Sequence, residues 1–150
     1  MPHLAQDPVP VAAEMVLALQ SVVTRQFDAF DPVVATVGHL SAGTAANIIP
    51  DSATLALTLR TFSAPARARL LSAVERMVHG IAAAHGMSAQ VRTDCAFPVT
   101  ANDADAVAFA RGVVEDLYGA DAYRELPEPE PGSEDFSELL QRVPGAYVLL

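Results

Sequence analysis

Tryptophan is absent from the 150-residue chain, and cysteine occurs once, as Cys95. A single thiol excludes an intrachain disulfide framework. Cys95 alternates with Val91, Thr93 and Phe97, a pattern that predicts a buried structural thiol rather than a nucleophile. Basic residues are few: 9 Lys+Arg stand against 18 Asp+Glu, a net charge of −9. Phosphate binding needs a basic face, so nucleic acid is excluded as a partner, and an anionic membrane surface gains no support. No apolar run approaches the roughly 20 residues of a membrane-spanning helix. Met1-Pro2-His3-Leu4 has neither the basic nor the apolar region of a signal peptide, and a cytoplasmic location is expected. His-Glu-x-x-His, Cys-x-x-Cys, Gly-x-Ser-x-Gly, P-loop and Gly-x-Gly-x-x-Gly motifs are all missing.

What remains is aliphatic. Apolar residues make up 51% of the chain, much of it alanine and valine, so it is not a disordered tail. The length suits one full core, or one small domain and a piece of another. Six acidic residues fall between Asp121 and Asp135, and they read as a solvated loop.

The spacing predicts a helix from Asp7-Pro8, with Ala12, Met15, Val16, Leu19, Val22, Val23 and Phe27 on one face. It should end before Asp31-Pro32. Val33 to Leu40 reads as a strand, 41–47 as a loop, and Thr54 to Phe62 as a second strand. In that strand Leu55, Leu57 and Leu59 take one face, and Thr54, Thr58 and Arg60 the other. Ser63-Ala64-Pro65 opens a second helix with a stripe of Leu70, Leu71, Val74, Met77, Val78, Ile81 and Ala82, and Gly86 stops it. Met87 to Phe97 alternates as a third strand. The order α-β-β-α-β is a ferredoxin-like split unit whose first strand would precede Met1.

Beyond Pro98, Asn102 is the expected cap of a third helix, with Asp105 at the capping-box position and Ala106, Val107, Ala110, Val113, Val114 and Leu117 as its core stripe. Gly119 should end it. A proline-rich acidic loop leads to Gly132-Ser133-Glu134-Asp135-Phe136, which opens a short fourth helix. Pro144-Gly145 then turns into a buried strand over 146–150, where the chain stops abruptly.

No complete catalytic constellation of any class is present. His3, His39, His79 and His85 lack metal-ligand spacing, and His79 and His85, six apart, lie on different helix faces. Two segments carry candidate chemistry. The first is Gly43-Thr44-Ala45-Ala46-Asn47-Ile48-Ile49-Pro50-Asp51 with Arg60. Small residues allow close backbone approach to a ligand, Asn47 offers a donor and an acceptor, and Arg60 offers a fork for a carboxylate. The alternative is a tight interstrand loop and a surface salt bridge. The second is Gly132-Ser133-Glu134-Asp135-Phe136, where Ser133 serves either a substrate or the helix N-terminus.

Together these segments resemble the M20 metallopeptidase/amidohydrolase family, in its aminoacylase, hippurate hydrolase and auxin-conjugate hydrolase branch. Met1-Pro2-His3-Leu4-Ala5-Gln6-Asp7-Pro8 looks like the end of a His-Ala-Ala-x-Pro-His…Asp-Pro segment. Gly43 to Asp51 looks like Gly-x-Ala-x-Asn-Val-Ile-Pro, followed by Leu57-Thr58-Leu59-Arg60. Gly132 to Phe136 with Val143-Pro144-Gly145 looks like a late catalytic-domain motif. Pro131 departs from the family pattern, which puts the geometry of that loop in question.

The resemblance implies an α+β chain. Residues 1–97 would be a ferredoxin-like lid, or dimerisation, domain with its first strand missing. Residues 98–150 would be a fragment of an α/β zinc-peptidase-like catalytic domain. It further implies hydrolysis of the amide bond of N-acyl amino acids. Two divalent metal ions, zinc or manganese, would activate water, with a glutamate as general base. The positions of those ligands are not in this chain, so no catalytic and no metal residue carries over, and no metal is expected to be bound by it. Asn47 matches an asparagine that reaches a partner subunit's active site, and Arg60 an arginine that binds the substrate carboxylate. Gly132 and Ser133 would line the substrate pocket. A homodimer through the lid is implied. The expected function is thus a binding-side fragment, inactive alone; the alternative is a non-catalytic interaction module that pairs with complete family members.

Overall fold

The computed structural model describes residues 2–94 and 97–149, and it divides into two compact units, residues 1–93 and 94–150. Cys95, expected to be a buried thiol, lies outside the described residues. No helix among the described residues is long and apolar enough to cross a membrane.

The first unit has the order α-β-β-α: α1 (Pro8–Gln26), β1 (Val33–Ala42), β2 (Ala53–Thr61) and α2 (Ala64–Ala84). Each helix start is set by its cap. The Asp7 carboxylate accepts from the Val9 N–H at 3.0 Å, with Pro8 in the first turn. Ser63 Oγ accepts from the Ala66 N–H at 3.1 Å and donates to Asp31 at 2.7 Å, which ties α2 to the turn before β1. α2 stops in a Schellman arrangement. Met87 N–H reaches the Ala82 carbonyl at 2.8 Å, Gly86 N–H reaches Ala83 at 3.0 Å, and Gly86 takes φ +68°.

β1 and β2 pair antiparallel and make a two-stranded sheet, with both helices packed on one face. A lone hairpin is marginal in water, so that apolar face supplies most of its stability. The main core cluster joins Leu19 of α1, Val33 of β1 and Ala66, Leu70 and Val74 of α2, with Leu57 and Leu59 of β2 packed against it. A second cluster of Val11, Met15 and Ala82 is covered by Leu55, Ile81, Met87 and Ala89. The core is aliphatic, as the composition predicts, and the leucines of β2 face it.

α1 ends at Gln26, before Asp31-Pro32 as expected, and Asp28 and Asp31 form a turn after it. Two expectations need correction. β1 runs to Ala42 rather than Leu40. Residues 87–94 are not a strand. Met87, Ala89 and Val91 are half-buried between exposed neighbours, so the predicted alternation exists. A ladder needs a neighbouring strand, and none lies beside this segment among the described residues.

The second unit holds α3 (Ala104–Tyr118) and the short α4 (Ser137–Leu140). Asp103, not Asn102, caps α3, accepting from the Ala106 N–H at 3.0 Å. Asn102 instead clamps the backbone of Tyr147, donating to its carbonyl at 3.0 Å and accepting from its N–H at 2.8 Å. The side-chain amide thus replaces a strand partner, and residues 146–149 form no ladder. α4 has no side-chain cap, so Ser133 does not fill that role. No residue of α3 is buried: Val113 is 40% and Leu117 68% exposed, because this unit has no sheet to cover a full helical stripe.

Candidate functional site

The loop between β1 and β2 is built around Gly43 and Pro50. Gly43 has φ +67°, a left-handed conformation that side chains resist, and a Cβ there would meet the Pro50 ring at 3.4 Å. The Ile48 N–H closes a turn on the Ala45 carbonyl. The loop, with Ala5, Asp7 and Val9, lines an open cavity of about 910 Å³, and Asn47 sits exposed on it. The contribution of Ala5, Asp7 and Val9 had no signal in the sequence, since Asp7 reads only as a helix cap.

Arg60 lies on β2, opposite Val34 and exposed on the sheet face away from the helices. The hairpin does not bring it to Asn47. Arg60 is seven residues along β2 from Ala53, where the loop ends, a distance of roughly 24 Å at strand rise. A small ligand held at Arg60 does not span β2 back to the end of that loop.

The open sheet face has a distinct charge character. The register shifts between Val37 and His39, leaving Gly38 as an extra residue in β1. Such a bulge inverts side-chain parity. Val33, Ala35 and Val37 turn toward the helices before it; beyond it Leu40 pairs with Leu55 on the helix side, and His39 pairs with Ala56 on the open side. The open face therefore carries Val34, Thr36, His39 and Ser41 from β1, and Thr54, Ala56, Thr58 and Arg60 from β2. In a chain of net charge −9 this face has no carboxylate.

In the second unit Gly132 and Ser133 are exposed in the loop before α4. They do not line the open cavity of about 330 Å³ formed by residues 101–103 and 140–145. The segment's other members have structural partners. The Ser137 hydroxyl, fully buried, donates to the Glu134 carbonyl. The Tyr147 ring packs 5.7 Å from Phe136. Its phenol is held above the ordinary tyrosine range, first by partial burial, then by the charge and hydrogen bond of Glu134, and then by the charge of Asp135. Arg111 is tied to Glu115 at 2.8 Å and Glu125 at 3.3 Å, and it lies over the Tyr123 ring. The hydrogen bond and charge of Glu115 raise its pKa further.

Among the described residues no three His, Cys, Asp or Glu side chains come together as a metal site would need. His85 instead meets Glu14 at 2.7 Å. The described residues do not fit a metal centre.

Residues 1–86 match the model of the peptidase dimerisation domain of the M20 family. The chain is 33% identical over 149 residues to a hippurate hydrolase of Campylobacter jejuni, covering 99% of this chain and 39% of that protein. It is 37% identical to an IAA-amino acid hydrolase of Arabidopsis thaliana, covering all of this chain and 34% of the relative. Among solved structures, a dinuclear metal-binding M20 peptidase of Bacillus subtilis superposes with a TM-score of 0.75 at 29% identity, over 93% of this chain and 35% of the other. The chain thus spans well under half the length of the relatives it matches.

Proposed function

The chain belongs to the M20 peptidase dimerisation-domain family, and from that premise we propose that it is the substrate-binding side of an amidohydrolase acting on N-acyl amino acids. Residues 1–97 are read as the lid and 98–150 as part of the catalytic domain. Arg60 holds the substrate carboxylate with its planar fork. Asn47 supplies an amide donor and acceptor, and Gly132 and Ser133 line the pocket from the catalytic side. The observation that carries the reading is the hairpin itself: a glycine-built loop presents Asn47, and Arg60 stands exposed on the sheet face away from the helices. The names of the relatives, hippurate hydrolase and IAA-amino acid hydrolase, support an acylated amino acid as substrate.

The length of the hairpin supports a homodimer. With Arg60 seven residues along β2 from the end of the loop that carries Asn47, Asn47 serves a substrate bound by the other subunit. The metal ions implied by the family, zinc or manganese, belong to the complete enzyme; the described residues do not fit them, and the chain is read as inactive alone. The cytoplasm is taken as the place of action, since one cysteine builds no disulfide framework.

A second reading, a non-catalytic module that pairs with complete family members, is favoured by the sheet. Among the described residues both outer edges of the two-stranded sheet lack a ladder partner, and such edges recruit strands from other chains. Co-purification with a complete family member separates the two readings. The test of the first is a hydrolysis assay of the purified chain on N-benzoylglycine with added zinc or manganese. No turnover is expected, and measurable release of glycine would overturn it.

A further inference from the structure

His39 is the one other ionisable side chain on the open face that carries Arg60, and the Gly38 bulge is what puts it there. Without the extra residue, strict alternation from Val33, Ala35 and Val37 would turn His39 toward α1 and α2, where apolar side chains pack. Bulges re-aim side chains in this way beside functional surfaces. The result is a strand face on which His39 and Arg60 are the ionisable side chains. It stands out in a chain with 18 acidic residues and a net charge of −9.

We propose that His39 is a specificity-determining residue that recognises a second acidic group on the substrate, so that the face prefers acylamino acids whose acyl chain itself ends in a carboxylate. The inference rests on the reading of Arg60 as the carboxylate contact. Its geometry comes from the register. His39 pairs with Ala56 and Arg60 lies four residues further along β2, about 14 Å at strand rise. The long arginine side chain closes part of that span. A ligand with its two carboxylates separated by an amide and a short acyl chain bridges the remainder. An imidazole donates an N–H whether neutral or charged, so recognition does not require a particular protonation state.

The test is an NMR titration of the 150-residue chain with N-glutarylglycine and with N-pentanoylglycine, which has the same chain length but no distal carboxylate. Glutarylglycine should bind about threefold more tightly, the size expected of one exposed charge-assisted contact. His39→Ala should bring it down to the pentanoylglycine level and leave pentanoylglycine unchanged, and His39→Arg should keep the preference. Arg60→Gln should weaken both ligands. Equal affinities for the unaltered chain, or a preference that survives His39→Ala, would overturn the role of His39 while leaving Arg60 in place. No effect of Arg60→Gln on either ligand, or no saturable binding of either, would overturn the Arg60 reading and this inference with it.

Discussion

Gly43 and Tyr147 show how single positions set the two candidate segments. At Gly43 it is the left-handed backbone that resists a side chain; a Cβ there would only touch the Pro50 ring, at 3.4 Å. Gly43→Ala should cost roughly 1–2 kcal/mol, read as a lowered urea midpoint. Gly38→Ala, where a Cβ meets nothing within 4 Å, should change stability by less than about 0.5 kcal/mol. Tyr147 makes a prediction about pH. Its folded-state pKa is raised by partial burial and by Glu134. Its contribution to stability is therefore complete below the ordinary tyrosine pKa and is lost as pH rises through the higher folded value. In an absorbance titration of the phenolates, Tyr147→Phe should remove the last step to appear, and Glu134→Gln should move that step to lower pH. An unchanged last step in both variants would contradict the contact. Gly43 was legible in the sequence as a small residue in a binding-type loop. The tie between Glu134 and Tyr147 was not, because the two are thirteen positions apart with no periodic pattern linking them.

At the scale of elements, α1, β1, β2 and α2 followed from local signals: Asp7-Pro8, the alternation of β2, Ser63 and Gly86 are all read within a few residues. Leu70, 1% exposed at the centre of the main cluster, should be the costliest truncation of that core. Leu70→Ala is expected to lose about 2–5 kcal/mol, seen as a large fall in Tm. A loss below about 1 kcal/mol would mean that α2 does not pack as described. Where sequence reading went astray, a partner was at issue rather than a propensity. Residues 87–94 and 146–149 have strand-like patterns, but a ladder depends on what lies alongside. The parity change at Gly38 escaped for a related reason. A bulge is visible only in register, so nothing in the sequence placed His39 on the face of Arg60. The cap of α3 moved one residue because Asn102 found the Tyr147 backbone, a contact across 45 residues of sequence.

At the scale of the whole molecule, two observations bear on assembly. Arg60 stands roughly 24 Å along β2 from Ala53, where the loop that carries Asn47 ends, and the matched domain is a peptidase dimerisation domain. The proposed homodimer should appear in sedimentation as a concentration-dependent dimer at micromolar protein. A strict monomer across that range would contradict it. Family and fold were legible because the loop from Gly43 to Asp51, the Arg60 strand and the Gly132 to Phe136 segment follow one another in order. What substrate the complete enzyme takes was not, since the chain spans 39% of a hippurate hydrolase and 34% of an IAA-amino acid hydrolase.

The central claim is that this chain carries binding residues and no metal site. The most direct test is the zinc and manganese content per chain, measured by elemental analysis on protein purified without a metal-binding tag. A value near zero is expected, since no three potential ligands converge among the described residues. One or two metal ions per chain would contradict it and would place the chemistry on histidines and carboxylates that are read here as structural.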